Sequence, residues 1–527
     1  MNEISEFLEE ENRIIKELYQ NASKAYFDAI VSGKKEDYED YTKKDIKFKE
    51  HFNNKENFEK IKNFLKTAED LIEKRQLTIL YNDYLSCQGD KKLIEEISVR
   101  ASEIEQKFNT FRAKIGEEEV TDNKIKEILK KDTNSEKLKE VWEANKKQGE
   151  IVEKDLIELI KLRNTLAKSL GFENYYAMAL ELAEQKEEEI EKIFDELKEK
   201  TEKAFRGLKD EMDDFLSKRC GIKKEDLRPW HYQDLFFHEG PEIYDVNLDE
   251  IYKKDILQIA KDFYGRLGLD TEDVLKTSDL YEKPGKYQHA CCINLDRSGD
   301  VRIVENIKNN EYWMSTTLHE LGHAVYDKGC DPALPSLLRE NAHTFVTEAI
   351  ALLFERNSSN LSFIKKYGNF TGQNNEEFGE YCRKQLRLKE LAFMKWSQVM
   401  FHFERELYKN PDQDLNKLWW EFVKKYQLID FSRDKPDWAS KIHLTSSPAY
   451  YHNYLLGKIL ASQLNNHIAK IILKQGVKNA HYSDKKVGDF LKEKIFFPGR
   501  RYRWDELIER ALGEPLNPRY FIEEFTN

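Results

Sequence analysis

Several things are scarce in this chain, and each scarcity removes a class of function. Six cysteines, at positions 87, 220, 291, 292, 330 and 382 of 527, are sparse for a disulfide scaffold and lack the paired spacing of a zinc ribbon. Cys291-Cys292, beside His289, reads as a buried strand with two small thiols rather than a second metal site. No apolar run reaches 18 residues, so no membrane span is expected. The start, Met1-Asn2-Glu3-Ile4-Ser5-Glu6, is acidic where a secretory leader needs a basic start and an apolar core, which points to a cytoplasmic location. Pro- or Ser-rich linkers and internal repeats are absent. The net charge of -12 argues against nucleic acid as a partner.

What is present is helix. Apolar content of 40% is ample for a large core, and a prior of about 150 residues per domain allows three or four domains. With no linker to cut at, residues 1–527 read as one mostly α catalytic unit, two helical halves around a deep central cleft. Amphipathic, charge-dense runs cover about 3–32, 56–86, 91–116, 134–170 and 185–218, and a long run spans Glu377 to Tyr408 before Pro411. The clearest β signal is Tyr287 to Ile307, with a hairpin turn at Asp296-Arg297-Ser298-Gly299-Asp300. Such a ribbon suits main-chain pairing with an extended peptide.

The sharpest motif is His319-Glu320-Leu321-Gly322-His323, inside a helical run from about 311 to 326. Residues four apart share a helix face, so both imidazoles can grip one ion. Glu320, between them, is placed to take a proton from an attacking water, the base a zinc peptidase needs. Asn309 and Asn310 offer an N-cap and Gly329 a stop. The bland alternative is a surface helix with two ordinary histidines, and a third ligand decides between them.

A third histidine on the same stretch would need Gly at 326 and His at 329, where the chain has Tyr326 and Gly329. Glu348, 25 residues after His323, is the candidate in a second helical run over 343–355. Phe345, Ala351 and Leu352 share its face, and a carboxylate there is costly to bury without a cation. Glu340 and Glu355 are the rivals, and pairing of Glu348 with a lysine or arginine is the plain alternative.

These residues resemble the angiotensin-converting-enzyme family of zinc dipeptidyl carboxypeptidases. The similarity includes Glu348-Ala349-Ile350, Phe263-Tyr264-Gly265-Arg266-Leu267-Gly268-Leu269, Tyr287-Gln288-His289-Ala290, Trp419-Trp420 and Lys425-Tyr426-Gln427. The most specific piece after the zinc motif is Lys441-Ile442-His443-Leu444-Thr445-Ser446-Ser447, followed by Tyr451 and Tyr454. Pro448-Ala449-Tyr450 and Gly513-Glu514-Pro515-Leu516-Asn517 also look like segments of the oligoendopeptidase F and thimet families.

The resemblance implies one zinc ion per chain on His319, His323 and Glu348, with Glu320 as base and then acid. His443 and Tyr454 would stabilise the oxyanion. His289 and Ala290 would meet the substrate backbone near the scissile bond. Gln233, Lys441 and Tyr451 would hold the C-terminal carboxylate of an oligopeptide. Preorganised donors of this kind favour the charged transition state over the neutral substrate.

The chain also departs from the family. The spacing to Glu348 and the stretch from His443 to Tyr454 are each one residue longer, which leaves both Tyr450 and Tyr451 open as carboxylate anchor. Leu352 stands where the family has an Asp that orients a zinc histidine, so that orienting group must come from elsewhere. Asn453 replaces a chloride-binding arginine, and chloride activation there is not expected. The expected activity is release of C-terminal dipeptides. An oligoendopeptidase or carboxypeptidase on the same scaffold is the alternative, and a catalytically silent zinc-binding helical protein a third reading. Oligomeric state is not readable.

Overall fold

The computed structural model describes residues 2–244, 247–370, 375–477 and 482–526. Helices dominate them, and the strands make two small antiparallel pairs, as the mostly α expectation requires. The first helix, Glu3–Ser32, starts on Asn2, whose side chain accepts the Ser5 N–H, and ends at Gly33 in the left-handed region (φ 67°). A side chain at Gly33 would clash with the Gly285 carbonyl, and Tyr287 N–H donates to the Ile30 carbonyl at 2.9 Å. The end of the first helix therefore holds the segment that leads to His289.

Most expected runs appear, with informative differences. Those over 134–170 and 185–218 are the helices Ser135–Ser169 and Glu187–Cys220. The single run expected over 56–86 is two helices, Lys55–Thr67 and Leu71–Ser86, because Asp70 caps a new start by accepting the Ile72 and Glu73 N–H groups. The run read as helix to 116 stops at Thr110, and Ala113–Ile115 then pairs with Glu118–Val120 across Gly116 (φ 59°). Lys35–Phe52 is a further helix with a thin apolar stripe; Tyr38 and Phe52 are its buried residues, and it packs along the first helix.

The central element is the helix Thr344–Glu355, in which every residue from Phe345 to Phe354 is buried. A helix apolar on nearly all sides belongs inside a core. It lies between the motif helix, Glu311–Gly329, and a third helix, His452–His467. Glycines permit both contacts. A Cβ at Gly322 would lie 2.8 Å from Ala351 Cα, and one at Gly457 would lie 2.9 Å from Glu348 Cβ. The expected ribbon is Cys291–Asn294 paired with Val301–Val304, with Cys291 opposite Val304, and it packs on the motif helix. Its turn is closed by Asp296, whose Oδ1 accepts the Ser298 and Asp300 N–H groups.

Candidate active site

The motif helix begins where the sequence predicts. The Asn310 side chain accepts the Trp313 N–H at 3.0 Å. One helical turn then places His319 Nε2 and His323 Nε2 3.2 Å apart. Glu348 Oε2 approaches them from the central helix, at 3.5 Å and 3.8 Å. This oxygen is buried and has no hydrogen-bond partner of its own, while Glu348 Oε1 accepts the Tyr450 hydroxyl at 2.6 Å. These three potential ligand atoms lie within 4.8 Å of one another and fit a single cation.

The other nitrogen of each imidazole is taken. His319 Nδ1–H donates to Glu355 Oε2 at 2.8 Å, and His323 Nδ1 is hydrogen-bonded to Thr347 Oγ1 at 2.8 Å, which turns both Nε2 atoms toward Glu348. Burial raises the Glu355 carboxyl, but its bond to His319 outweighs that and holds it down at about 2. The sequence offered Glu355 as a rival ligand; it sits behind His319 instead. Glu340, the other rival, is committed to Arg297 at 2.5 Å and Arg500 at 2.8 Å.

Glu320 is buried and makes no hydrogen bond or ion pair with the described residues. Burial, opposed by His319 and reinforced by Glu348 and Glu355, pushes its carboxyl up to about 7.

A wall of neutral donors stands nearby. His443 Nε2 and the Tyr454 hydroxyl are 3.2 Å apart. Burial, with the charges of Lys441, His289 and His238, drives His443 well below the usual histidine range, and burial drives Tyr454 well above the usual tyrosine range. The backbone that carries them is pinned. Arg163 donates to the carbonyls of Leu444 at 3.0 Å and Thr445 at 2.6 Å, and Ala449, at φ 54°, donates its N–H to Glu404 Oε1 at 2.7 Å.

The two candidate tyrosines are told apart by their partners. Tyr450 is bound to Glu348, whereas the Tyr451 oxygen accepts Trp396 Nε1–H at 2.6 Å and its ring lies 5.2 Å from Lys441 Nζ. Lys441 Nζ also faces Phe236 at 5.3 Å and Trp396 at 5.7 Å. Among the described residues no carboxylate pairs with it. Burial, against the pull of Asp234, lowers the amine to about 8.

The remaining predicted residues sit less directly. Gln233 is buried with φ 62°, its Oε1 accepts the Glu242 N–H at 2.9 Å, and it lines a cavity of about 480 Å³ with Lys126, Asp234 and Tyr312. His289 packs on the Tyr287 ring at 5.3 Å, and burial lowers it to about 3; Ala290 leads into the ribbon. Among the described residues, no hydrogen bond joins Gln233 or His289 to Lys441 or the zinc motif. Asn453, in place of the chloride-binding arginine, accepts the Gln185 amide at 2.8 Å, and Gln185 also meets His452 at 2.9 Å.

Thr347 and Glu404 are not among the residues the sequence singles out, and Glu355 and Tyr450, which it offers as a rival ligand and a carboxylate anchor, take other places here, Glu355 on His319 and Tyr450 on Glu348. Glu355 lies seven residues after Glu348, two turns along the same face, which is the sequence signal for its place behind His319.

Comparison with known proteins follows this geometry. The angiotensin-converting enzyme family model matches residues 1–204 and 244–522. Carboxypeptidase 1 of Bacillus subtilis (strain 168) is 23% identical over 274 residues, covering 45% of this chain and 52% of that protein. Thermostable carboxypeptidase 1 of Pyrococcus furiosus is 24% identical over 249 residues, covering 42% of this chain and 49% of that protein. The matched part of the chain thus spans about half the length of each relative. With the family match running over most of the sequence, the chain belongs to the angiotensin-converting enzyme family of metallopeptidases.

Proposed function

We propose that this protein is a zinc-dependent peptidyl-dipeptidase, one catalytic unit whose helical halves flank the cleft in which an oligopeptide is bound by its free C-terminus. The observation that carries the hydrolytic part is the buried Glu348 Oε2, without a hydrogen-bond partner, facing the Nε2 atoms of both histidines. His319, His323 and Glu348 would hold one zinc ion, which supplies Lewis acidity toward the scissile carbonyl and the attacking water.

The chain's own groups then divide the work. Glu320 takes a proton from water as its oxygen attacks the carbonyl carbon, and delivers that proton to the amide nitrogen as the C–N bond breaks. His443 Nε2 lies 3.2 Å from the Tyr454 hydroxyl and, as its Nε2–H tautomer, would donate to that oxygen and leave the tyrosine proton for the carbonyl oxygen as it gains negative charge. His289 and Ala290, at the start of the ribbon, meet the substrate backbone. Lys441, an unpaired amine among aromatic rings, supports an anchor for the terminal carboxylate, with Tyr451 beside it and Gln233 contributing from the cavity wall.

A carboxypeptidase that removes single residues is the second reading, favoured by the names of the two relatives. One peptide of about ten residues, offered with free and amidated C-termini to the zinc-loaded protein, separates the possibilities by product mass. Stepwise loss of dipeptides from the free form alone supports the proposal. Loss of single residues selects the second reading, and equal internal cleavage of both forms selects an oligoendopeptidase.

A further inference from the structure

We infer that His238, held by Asp234, is a further binding residue for the peptide's terminal carboxylate, acting beside Lys441. The inference rests on the carboxylate-anchored reading and adds to it a residue that the family resemblance does not supply. Asp234 and His238 lie in 205–243, the internal stretch outside the family match.

The geometry of the pair is fixed by one oxygen. Asp234, buried, uses Oδ2 to accept the Phe236 N–H at 3.2 Å, the His238 N–H at 2.7 Å and His238 Nδ1–H at 2.5 Å. A carboxylate that accepts three donors stays ionised: burial raises its pKa, but the His238 interactions and Lys126 together carry it far below the usual range. With Nδ1 committed, the ring cannot turn without breaking that bond, and Nε2, 3.8 Å from Glu239 Oε1, makes no hydrogen bond with the described residues.

That edge shares its walls with Lys441. The His238 ring lies 6.0 Å from Trp396 and 6.4 Å from Phe236, the same two rings that Lys441 Nζ faces. The His238 charge is felt by His289 and by His443, so the ring stands near the groups assigned to the scissile bond. Lys441 and His238 thus share one aromatic box, with Asp234 Oδ2 taken up by His238 and Glu239 Oε1 lying 3.8 Å from His238 Nε2 and 4.0 Å from Lys126 Nζ. A carboxylate entering there would accept from Lys441 Nζ and, in place of Glu239, from His238 Nε2–H. Charge-assisted bonds of this type are about twice as strong as neutral ones.

A bound cation is the competing account, since Asp234, His238 and Glu239 place ligand atoms within 4.8 Å of one another. Positive charge is supplied there already: Lys126 Nζ is 4.0 Å from Glu239 Oε1, and the proton between Asp234 and His238 occupies the position a metal would need.

The test is steady-state kinetics of the zinc-loaded full chain on one peptide as free acid and as amide. His238→Gln is expected to raise KM for the acid about tenfold, a change of about 1.4 kcal/mol, and to shrink the acid-over-amide ratio of kcat/KM correspondingly. His238→Lys, which returns a cation, is expected to recover part of that ratio. Zinc content and thermal midpoint identify a misfolded variant, in which case Asp234→Asn, which frees the ring, carries the same comparison. A wild-type preference for the acid that survives unchanged in His238→Gln overturns this inference alone, as does an equal loss on both substrates, which would make His238 structural. A wild type indifferent to amidation overturns the carboxylate-anchored reading itself.

Discussion

His319 Nδ1 lies 2.8 Å from Oε2 of Glu355, a carboxylate on the same central helix that contributes Glu348. One helix therefore supplies both a proposed ligand and the group that orients another. Glu355→Gln keeps the acceptor but removes the charge and is expected to weaken zinc binding by about 10–100-fold, read by competition with a chromogenic chelator. Unchanged affinity would mean that the His319 ring is held by packing alone.

Glu320→Ala is expected to keep a stoichiometric zinc ion and lose nearly all turnover. Metal analysis beside a peptide assay checks both halves. Retained hydrolysis would remove Glu320 from the chemistry.

Tyr454→Phe removes one hydroxyl from the donor pair with His443. Loss of one oxyanion donor typically lowers kcat by about 10²–10³, and the effect should fall on kcat rather than KM. A change confined to KM would move Tyr454 from catalysis to binding.

Lys441 gives a pH dependence of definite sign. The amine is lowered to about 8 by burial, with Lys126 adding to the fall and Asp234 and Glu239 opposing it. Below that pH it is charged and attracts a carboxylate; above it the charge is lost. For free-acid peptides, kcat/KM should decline as pH rises through about 8, and Lys441→Arg should carry the limb to higher pH. An identical alkaline limb on amidated peptides would assign it to another group.

Gly322 sits where the motif helix touches Ala351, and an added Cβ would meet backbone atoms at 2.8 and 3.2 Å. Backbone cannot rotate aside, so Gly322→Ala should separate the two helices. A destabilisation of about 1–3 kcal/mol is expected in denaturant unfolding, together with weaker zinc binding.

Much of this was legible because it is local. Asn310 before an apolar stripe announces the motif helix, and Asp296 to Asp300 between apolar runs announces the ribbon. Glu348 was legible because a carboxylate on an apolar face needs a reason to be there. The break at Asp70 was not, since a cap inside a continuous amphipathic pattern carries no glycine or proline to mark it. Nor were Thr347 behind His323, Tyr450 on Glu348, or Glu404 under Ala449, because each depends on how separate helices meet. The separate surroundings of Tyr451, bonded to Trp396 55 residues away, and Tyr450, bonded to Glu348, are likewise tertiary.

The central helix also has a consequence for how the protein is built to change. Its proposed metal ligand is rooted in the most deeply packed segment, pressed by glycine contacts on two sides, so its amides should exchange with solvent only in global unfolding. The segment from Pro229 to Glu242 is different: short turns, positive φ at Gln233 and Phe237, and a shape maintained by single side chains such as Asp234 and Gln233. On the proposed reading, mutations there would retune which peptide end is gripped while the hydrolytic centre is left alone. Recognition and chemistry can thus drift independently within one fold.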